Sequence, residues 1–451
     1  MTRLLIATTA LCLLACNGKD ANTQPTQPTE NTQPSGEAAK PADGAKPTEG
    51  APAPAAEMAA SPPSMKTGLL VAMSQFEVGP DKKVLPKPGP AKLIIVTREG
   101  GKWKQDVIED PDSNVFHKAF VYTPKGGKPG IVTLGGMGAH VKIWRKKDGK
   151  FVSETLWHKD FGGKWSRMRD AEIADFYGTG PTLAVATHDQ GAVVTIGPKE
   201  GGWDVRELGA KKDTFVHEIE LGDLDGDGKT EVYSTPSDPN KLDGSVQTGR
   251  VDRYVPGLKG DKGTVVADLG NRHAKEIYVG DVDGDGKDEL YVAVEAHVEK
   301  VDGKSKVIDP VEIRRYEAGT DPKGGAVIAQ LQDRLCRFLT VGDIDGDGKK
   351  EMVAAPFGSG LWLLRPGSDP NASWVKTRID KKSGGFEHAA ILLDLDGDGK
   401  DELYVASDTQ GELRRYTWNG ASWDKEVILS REVPRSVFTW NLMPVPAELV
   451  K

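Results

Sequence analysis

Four stretches of this chain carry nearly the same nine residues: 223–231, 281–289, 343–351 and 394–402. Each reads Asp-x-Asp-Gly-Asp-Gly-Lys-x-Glu, placing carboxylates at positions 1, 3, 5 and 9 of one short loop. Side chains this crowded repel one another unless a cation sits among them. Hard oxygen donors in such number suit Ca²⁺, which takes about 6–8 of them, better than Mg²⁺ or a transition metal. Glycines at positions 4 and 6 let the backbone turn sharply enough to aim three aspartates inward. At position 7, Lys229, Lys287, Lys349 and Lys400 are expected to offer a backbone carbonyl while the ammonium faces water.

The charge balance agrees. The formal net charge is −8, and four bound Ca²⁺ would bring eight positive charges. The acidity is thus largely that of the loops, and it argues against a general nucleic-acid binder.

The loops need a scaffold, and its period is visible around them. In the last unit, 387–394 leads into the acidic loop as strand A, followed by strands at 402–407, 412–418 and 422–428, with Asn419-Gly420 as a hairpin turn. The same frame fits 214–223, 231–235 and 249–254; 272–281, 289–294 and 311–316; and 335–343, 351–355 and 361–364. Two further units, with loops at 123–131 and 175–183, keep the following strand but not the carboxylates, so no ion is expected there. At the start, 68–74, 91–97 and 102–108 read as strands B, C and D without an A; at the end, 435–441 reads as an A with nothing after it. A circular array closes by placing the last strand in the first unit, which removes its open edge. The expectation is an all-β, seven-bladed β-propeller over residues 67–451, with six or eight blades as competing counts.

The repeat resembles the FG-GAP/VCBS family, specifically in units four to seven and weakly in units one to three. That resemblance implies Ca²⁺ in the loop joining the two inner strands of each blade, about four ions in all. It implies sites at Asp223, Asp225, Asp227, Lys229 and Glu231; Asp281, Asp283, Asp285, Lys287 and Glu289; Asp343, Asp345, Asp347, Lys349 and Glu351; and Asp394, Asp396, Asp398, Lys400 and Glu402. Glu stands at position 9 where the family frequently has Asp, which could loosen the last contact. Family members include adhesion receptors, lectin-like proteins and some polysaccharide lyases, so the resemblance leaves function open.

The N-terminus gives an address. Residues 1–15 have a charged start and a short apolar run, the pattern of a secretory signal and too short for a membrane span. Leu13-Leu14-Ala15-Cys16 resembles a bacterial lipobox, so Cys16 would become the lipidated mature N-terminus. Asn17 follows it, where an aspartate would signal inner-membrane retention in some bacteria; this points to the outer membrane. Residues 16–66, rich in Pro, Thr and Ala, form the expected disordered tether. Cys12 leaves with the signal and Cys16 is acylated, so Cys336 remains alone and no disulfide framework is possible.

A second pattern follows from the alignment. Six positions before the first loop aspartate, the seven units place His117, Arg169, His217, Lys275, Arg337, His388 and Arg435. Strand A is innermost in a propeller, so these side chains are expected near one mouth of the channel, opposite the loops. Two readings stand side by side: an anion-binding mouth, or a structural ring neutralised by Asp170, Glu218, Glu276 and Glu387 or hydrogen-bonded to neighbouring backbone. On strand C, Arg253-Tyr254, Arg314-Arg315-Tyr316 and Arg414-Arg415-Tyr416 are expected to pack tyrosine between blades and leave arginine exposed. The tryptophans of the outer strands read as blade packing.

No nucleophile elbow, phosphate loop, His-Glu-x-x-His or paired CxxC occurs. The sequence therefore reads as a monomeric, calcium-stabilised, lipid-anchored envelope binding module, not an enzyme, for an unknown protein or glycan, with an anion as one candidate. A lyase acting on acidic glycans and a protein-binding scaffold are the alternatives.

Overall fold

A computed structural model describes residues 67–162, 166–188, 190–239, 246–258, 262–302 and 304–450. The expected signal, Cys16 and the tether lie outside them. Seven antiparallel sheets, each built on four strands in the order A to D, are arranged in a ring. Strands A touch from one blade to the next all the way round, so they line the central channel.

Ring closure is as expected, with a longer strand. Thr67–Val78 is strand B of blade one and pairs on one side with strand C, Ala91–Glu99. On its other side it pairs with the C-terminal strand Val437–Pro446, from Thr67 opposite Pro446 to Gln75 opposite Val437. Both edges of the chain are thereby satisfied within one sheet.

The B strands explain why the wheel is stable. Glu289–Val294, Glu351–Pro356 and Glu402–Ser407 are buried along their whole length. Alternate residues of a strand point to opposite faces, and here each face serves a different junction. Met352 and Ala354 join the core between blades five and six, whereas Val353 joins the core between six and seven. Leu69 and Val71 likewise pack toward blade seven, and Leu70 and Ala72 toward blade two. One apolar cluster fills each of the seven junctions. No single core has to grow with chain length.

Strand A carries an irregularity that the sequence pattern did not reveal. Its ladder to strand B slips between Phe116 and Ala119, Val216 and Ile219, Ala274 and Ile277, and Cys336 and Leu339. Blade three slips at Arg169, and blade one at Trp440. In blades two to six the β-bulge sits at the basic position, and in blade one it sits at Trp440.

Bulging frees backbone N–H groups, and the neighbouring blade satisfies them. Ile219 N donates to Asp170 Oδ2 (2.9 Å) and Leu339 N to Glu276 Oε1 (2.8 Å); in blade seven, whose ladder does not slip over Ala390–Leu393, Leu392 N donates to Thr340 Oγ1 (2.8 Å). Asp170 and Glu276 therefore hold backbone of the next blade, and the other oxygen of Asp170 meets buried Lys118 Nζ at 2.9 Å.

Candidate metal loops and the channel mouth

Each acidic loop joins strand A to strand B. In all four, carboxylate oxygens of positions 1, 3 and 5 lie within 4.8 Å of one another: Asp223, Asp225 and Asp227; Asp281, Asp283 and Asp285; Asp343, Asp345 and Asp347; Asp394, Asp396 and Asp398. The loop is wound around its first aspartate. Asp223 Oδ2 accepts from Gly228 N (2.7 Å), and Asp281, Asp343 and Asp394 accept from the equivalent glycine at 3.0, 2.8 and 2.9 Å. Gly226 and Gly228 sit at φ 69° and 80°, in the left-handed region that a side chain rarely adopts.

The position-7 lysines close the turn through their own N–H, which donates to the position-5 aspartate at 2.8–2.9 Å in all four loops. Their ammonium groups are outward; those of Lys229, Lys287 and Lys349 pair with the same aspartate.

The position-9 glutamates go elsewhere than expected. Glu231, Glu289, Glu351 and Glu402 are buried and stand outside the groups of three. Strand C supplies each with a guanidinium: Arg253, Arg315, Arg365 and Arg415 pair with the position-9 glutamate and also with the position-3 aspartate of the same loop. Tyr233, Tyr291 and Tyr404 donate to three of these glutamates. Of the arginines expected at the surface, Arg253, Arg315 and Arg415 are thus the loops' resident counter-ions, and Arg315 is only 2 % exposed. A buried carboxylate needs such a partner, and Glu is long enough to reach it. Even so, burial outweighs the guanidinium and pushes Glu289 and Glu402 up to about 7.

Two atoms show that the residues fit a cation. Asp345 Oδ1 and Asp396 Oδ1 are buried acceptors without a hydrogen-bond partner, both at position 3 within the oxygen groups. An all-oxygen donor set with orphaned carboxylate atoms suits a hard divalent ion such as Ca²⁺. Positions 1, 3 and 5 would hold it.

At the opposite end of strand A, the basic positions are mostly consumed. His117 Nδ1 lies 2.7 Å from Met168 O of blade three, and His388 Nδ1 lies 2.6 Å from Pro356 O of blade six. Both are buried tethers to neighbouring backbone; burial lowers His388 to about 4. Burial also holds His217 neutral, aided by the charge of Lys275.

Arg169 and Arg337 form a plug. Glu387 of blade seven accepts from Arg337 Nη1 (2.6 Å) and from Arg169 Nη2 of blade three (3.2 Å). Arg337 Nε also donates to Glu295 of blade five (3.0 Å), whose other oxygen meets His273 Nε2 at 2.8 Å. Burial raises Glu295, but the charges of Lys275, Arg337 and His273 overcome it and hold the carboxyl far below the usual range.

Arg435 is a correction. It is exposed, precedes the strand, and has φ 61°. The bulge of blade one holds Trp440 instead, which meets the His117 ring edge-on at 4.8 Å and lies under the Arg169 guanidinium at 5.1 Å. Counting back from a loop aspartate fails for this strand because no such loop follows it. Trp440, Phe438 and Phe386 form an aromatic collar, with Arg337 4.3 Å above the Phe386 ring.

A family comparison agrees with this geometry. Residues 343–405, from the loop of blade six through strand B of blade seven, match the FG-GAP-like repeat. The chain thus carries an FG-GAP-like repeat within a seven-bladed β-propeller. No curated protein matches it. Among solved structures, one from Bacteroides uniformis, provisionally described as a 6-phosphogluconolactonase, is 12% identical, covering 82% of this chain and 98% of that one at a TM-score of 0.46.

Proposed function

We propose that this protein is a calcium-stabilised binding module, anchored to the bacterial envelope by lipid on Cys16, which takes an anionic ligand at the channel mouth opposite the metal loops. Lys275 carries this reading. It is 3 % exposed, and among the described residues its ammonium makes no hydrogen bond or ion pair. Burial and then the charge of Arg337 lower it to about 8, with Glu295 and Glu387 only partly offsetting them. A cation this little exposed and without a contact partner is costly, and a bound anion would relieve that cost. The aromatic collar, which packs against Arg169 and Arg337, suits a ligand with an apolar face next to its acidic group, such as a uronic acid in a glycan.

Calorimetric titration of the calcium-loaded chain with acidic and neutral oligosaccharides tests this. The acidic series should bind, and Lys275→Met should weaken it at least tenfold while leaving the fold intact by circular dichroism. Equal affinity of the variant and the native chain would remove Lys275 from the site. Binding of neutral sugars alone would remove the anion.

A protein ligand is the second reading. Two hairpins project at this same end, because B-to-C connections lie beside the start of strand A: Thr67–Val78 with Val84–Pro88, and His297–Val301 with Lys304–Asp309. They expose Val78, Leu85, Val301 and Ile308. Envelope proteins retained by the native chain but lost with those four residues changed to Ser would favour it.

A further inference from the structure

Position 8 of the loops plays no part in the metal groups, yet it reaches from one blade to the next. Asp288, in the loop of blade five, accepts from the backbone N–H of Asp223, the first residue of the blade-four loop, at 2.8 Å. Asp401, in the loop of blade seven, does the same for Asp343 of blade six at 2.8 Å, and its own N–H returns to Asp343 O at 2.9 Å. In each case the partner is the backbone of the aspartate around which the neighbouring loop is wound.

The approach is built into the strand below. Gly222 and Gly342 precede those aspartates, and a Cβ on Gly342 would lie 2.3 Å from Asp401 Oδ2. On Gly222 it would come within 3.2 Å of Asp288 Oδ2 and 2.2 Å of Val279 Cγ1. Blade seven, whose successor has no such loop, carries Leu393 at this position instead. Between blades five and six, position 8 is Lys350, whose ammonium donates to Asp281 O at 3.0 Å.

We propose that Asp288 and Asp401 couple metal binding between neighbouring loops, joining blade four to five and blade six to seven. This rests on the metal reading of the loops. An ion in the blade-five loop fixes the turn that carries Asp288, and Asp288 fixes the backbone of Asp223. The blade-four loop then loses less freedom when its own ion binds. Coupling of this kind is reciprocal, and about five-fold or more in affinity is a typical size.

The test follows hydrogen exchange of the blade-four loop, residues 219–231, against free Ca²⁺ in the full chain. Asp285→Asn strips the charge from a ligand of blade five and so weakens its ion, while the amide oxygen can still accept from Lys287 N. It should move the calcium midpoint of the blade-four loop upward about five-fold. In Asp288→Ala, adding Asp285→Asn should move that midpoint no further. An unchanged midpoint in Asp285→Asn alone overturns the coupling and leaves the metal sites standing. Native chain showing no calcium-dependent protection at 219–231 overturns the metal reading, and the coupling with it.

Discussion

Arg169 of blade three and Glu387 of blade seven meet across the channel, Nη2 to Oε2 at 3.2 Å, both buried. They are 218 residues apart in sequence and as far apart as two blades of a seven-membered ring can be. Glu387 also holds Arg337, so one carboxylate neutralises two guanidinium groups. Glu387→Gln should cost about 3–5 kcal/mol, because it leaves Arg169 enclosed without its counter-ion and Arg337 with Glu295 alone. Chemical denaturation should show it as a lower midpoint at unchanged slope. A loss under 1 kcal/mol would mean that the plug is wet and contributes little.

Calcium should raise the melting temperature, and chelator should lower it. A ligand bound only by the native state adds about 2.7 kcal/mol per site at a hundred-fold excess over its dissociation constant. Asp396→Asn, at an orphaned ligand atom of blade seven, should reduce the calcium-dependent rise without abolishing it, since three loops remain. Identical melting of calcium-loaded and chelated protein would dismiss the loops as metal sites.

Arg315 neutralises Asp283 and Glu289 from within the fold. Arg315→Met should destabilise the calcium-free protein more than the loaded one, because an ion can stand in for the guanidinium near Asp283. The gap between melting temperatures with and without calcium should widen. A constant gap would mean that arginine and metal act independently.

Acidification should weaken the fold through His388. Its folded-state value is about 4, against 6.5 for the free side chain. Between those values the unfolded chain binds the proton and the native chain does not, so stability falls as pH drops from about 6.5 to 4 and is flat above. At about 1.4 kcal/mol per unit this reaches roughly 3 kcal/mol. In chelator-containing buffers, His388→Asn should flatten the profile over that range, and Asn tolerates the φ of 59° found there. An unaltered profile would assign the acid sensitivity to other groups.

Trp440 and Arg435 separate the observed ring from the expected one. Arg435→Gln should leave the melting temperature within about 1 °C. Trp440→Ala removes the ring that packs on His117 and Arg169 and should cost on the order of 2 kcal/mol. The reverse ranking would restore the register read from sequence.

The acidic loops, the glycines that turn them and the spacing between them are local features, and local spacing is what a sequence records directly. Seven blades and their closure followed, because a leading unit without strand A and a trailing strand A complete one another. Three things required the tertiary structure. The bulge in strand A is a register slip between paired strands and leaves no mark in residue type; it decided that Trp440 and not Arg435 joins the ring. Arg253, Arg315, Arg365 and Arg415 enter the loops because strand C lies beside strand B, although along the chain Arg253, Arg315 and Arg415 read as a surface pattern and Arg365 carries no signal. The plug joins residues 169, 295, 337 and 387, which only closure of the wheel brings together. Charge at the channel is therefore a sum over distant positions, and a chain read in order shows members of that sum, Glu387 among them, without the pairs they form across blades.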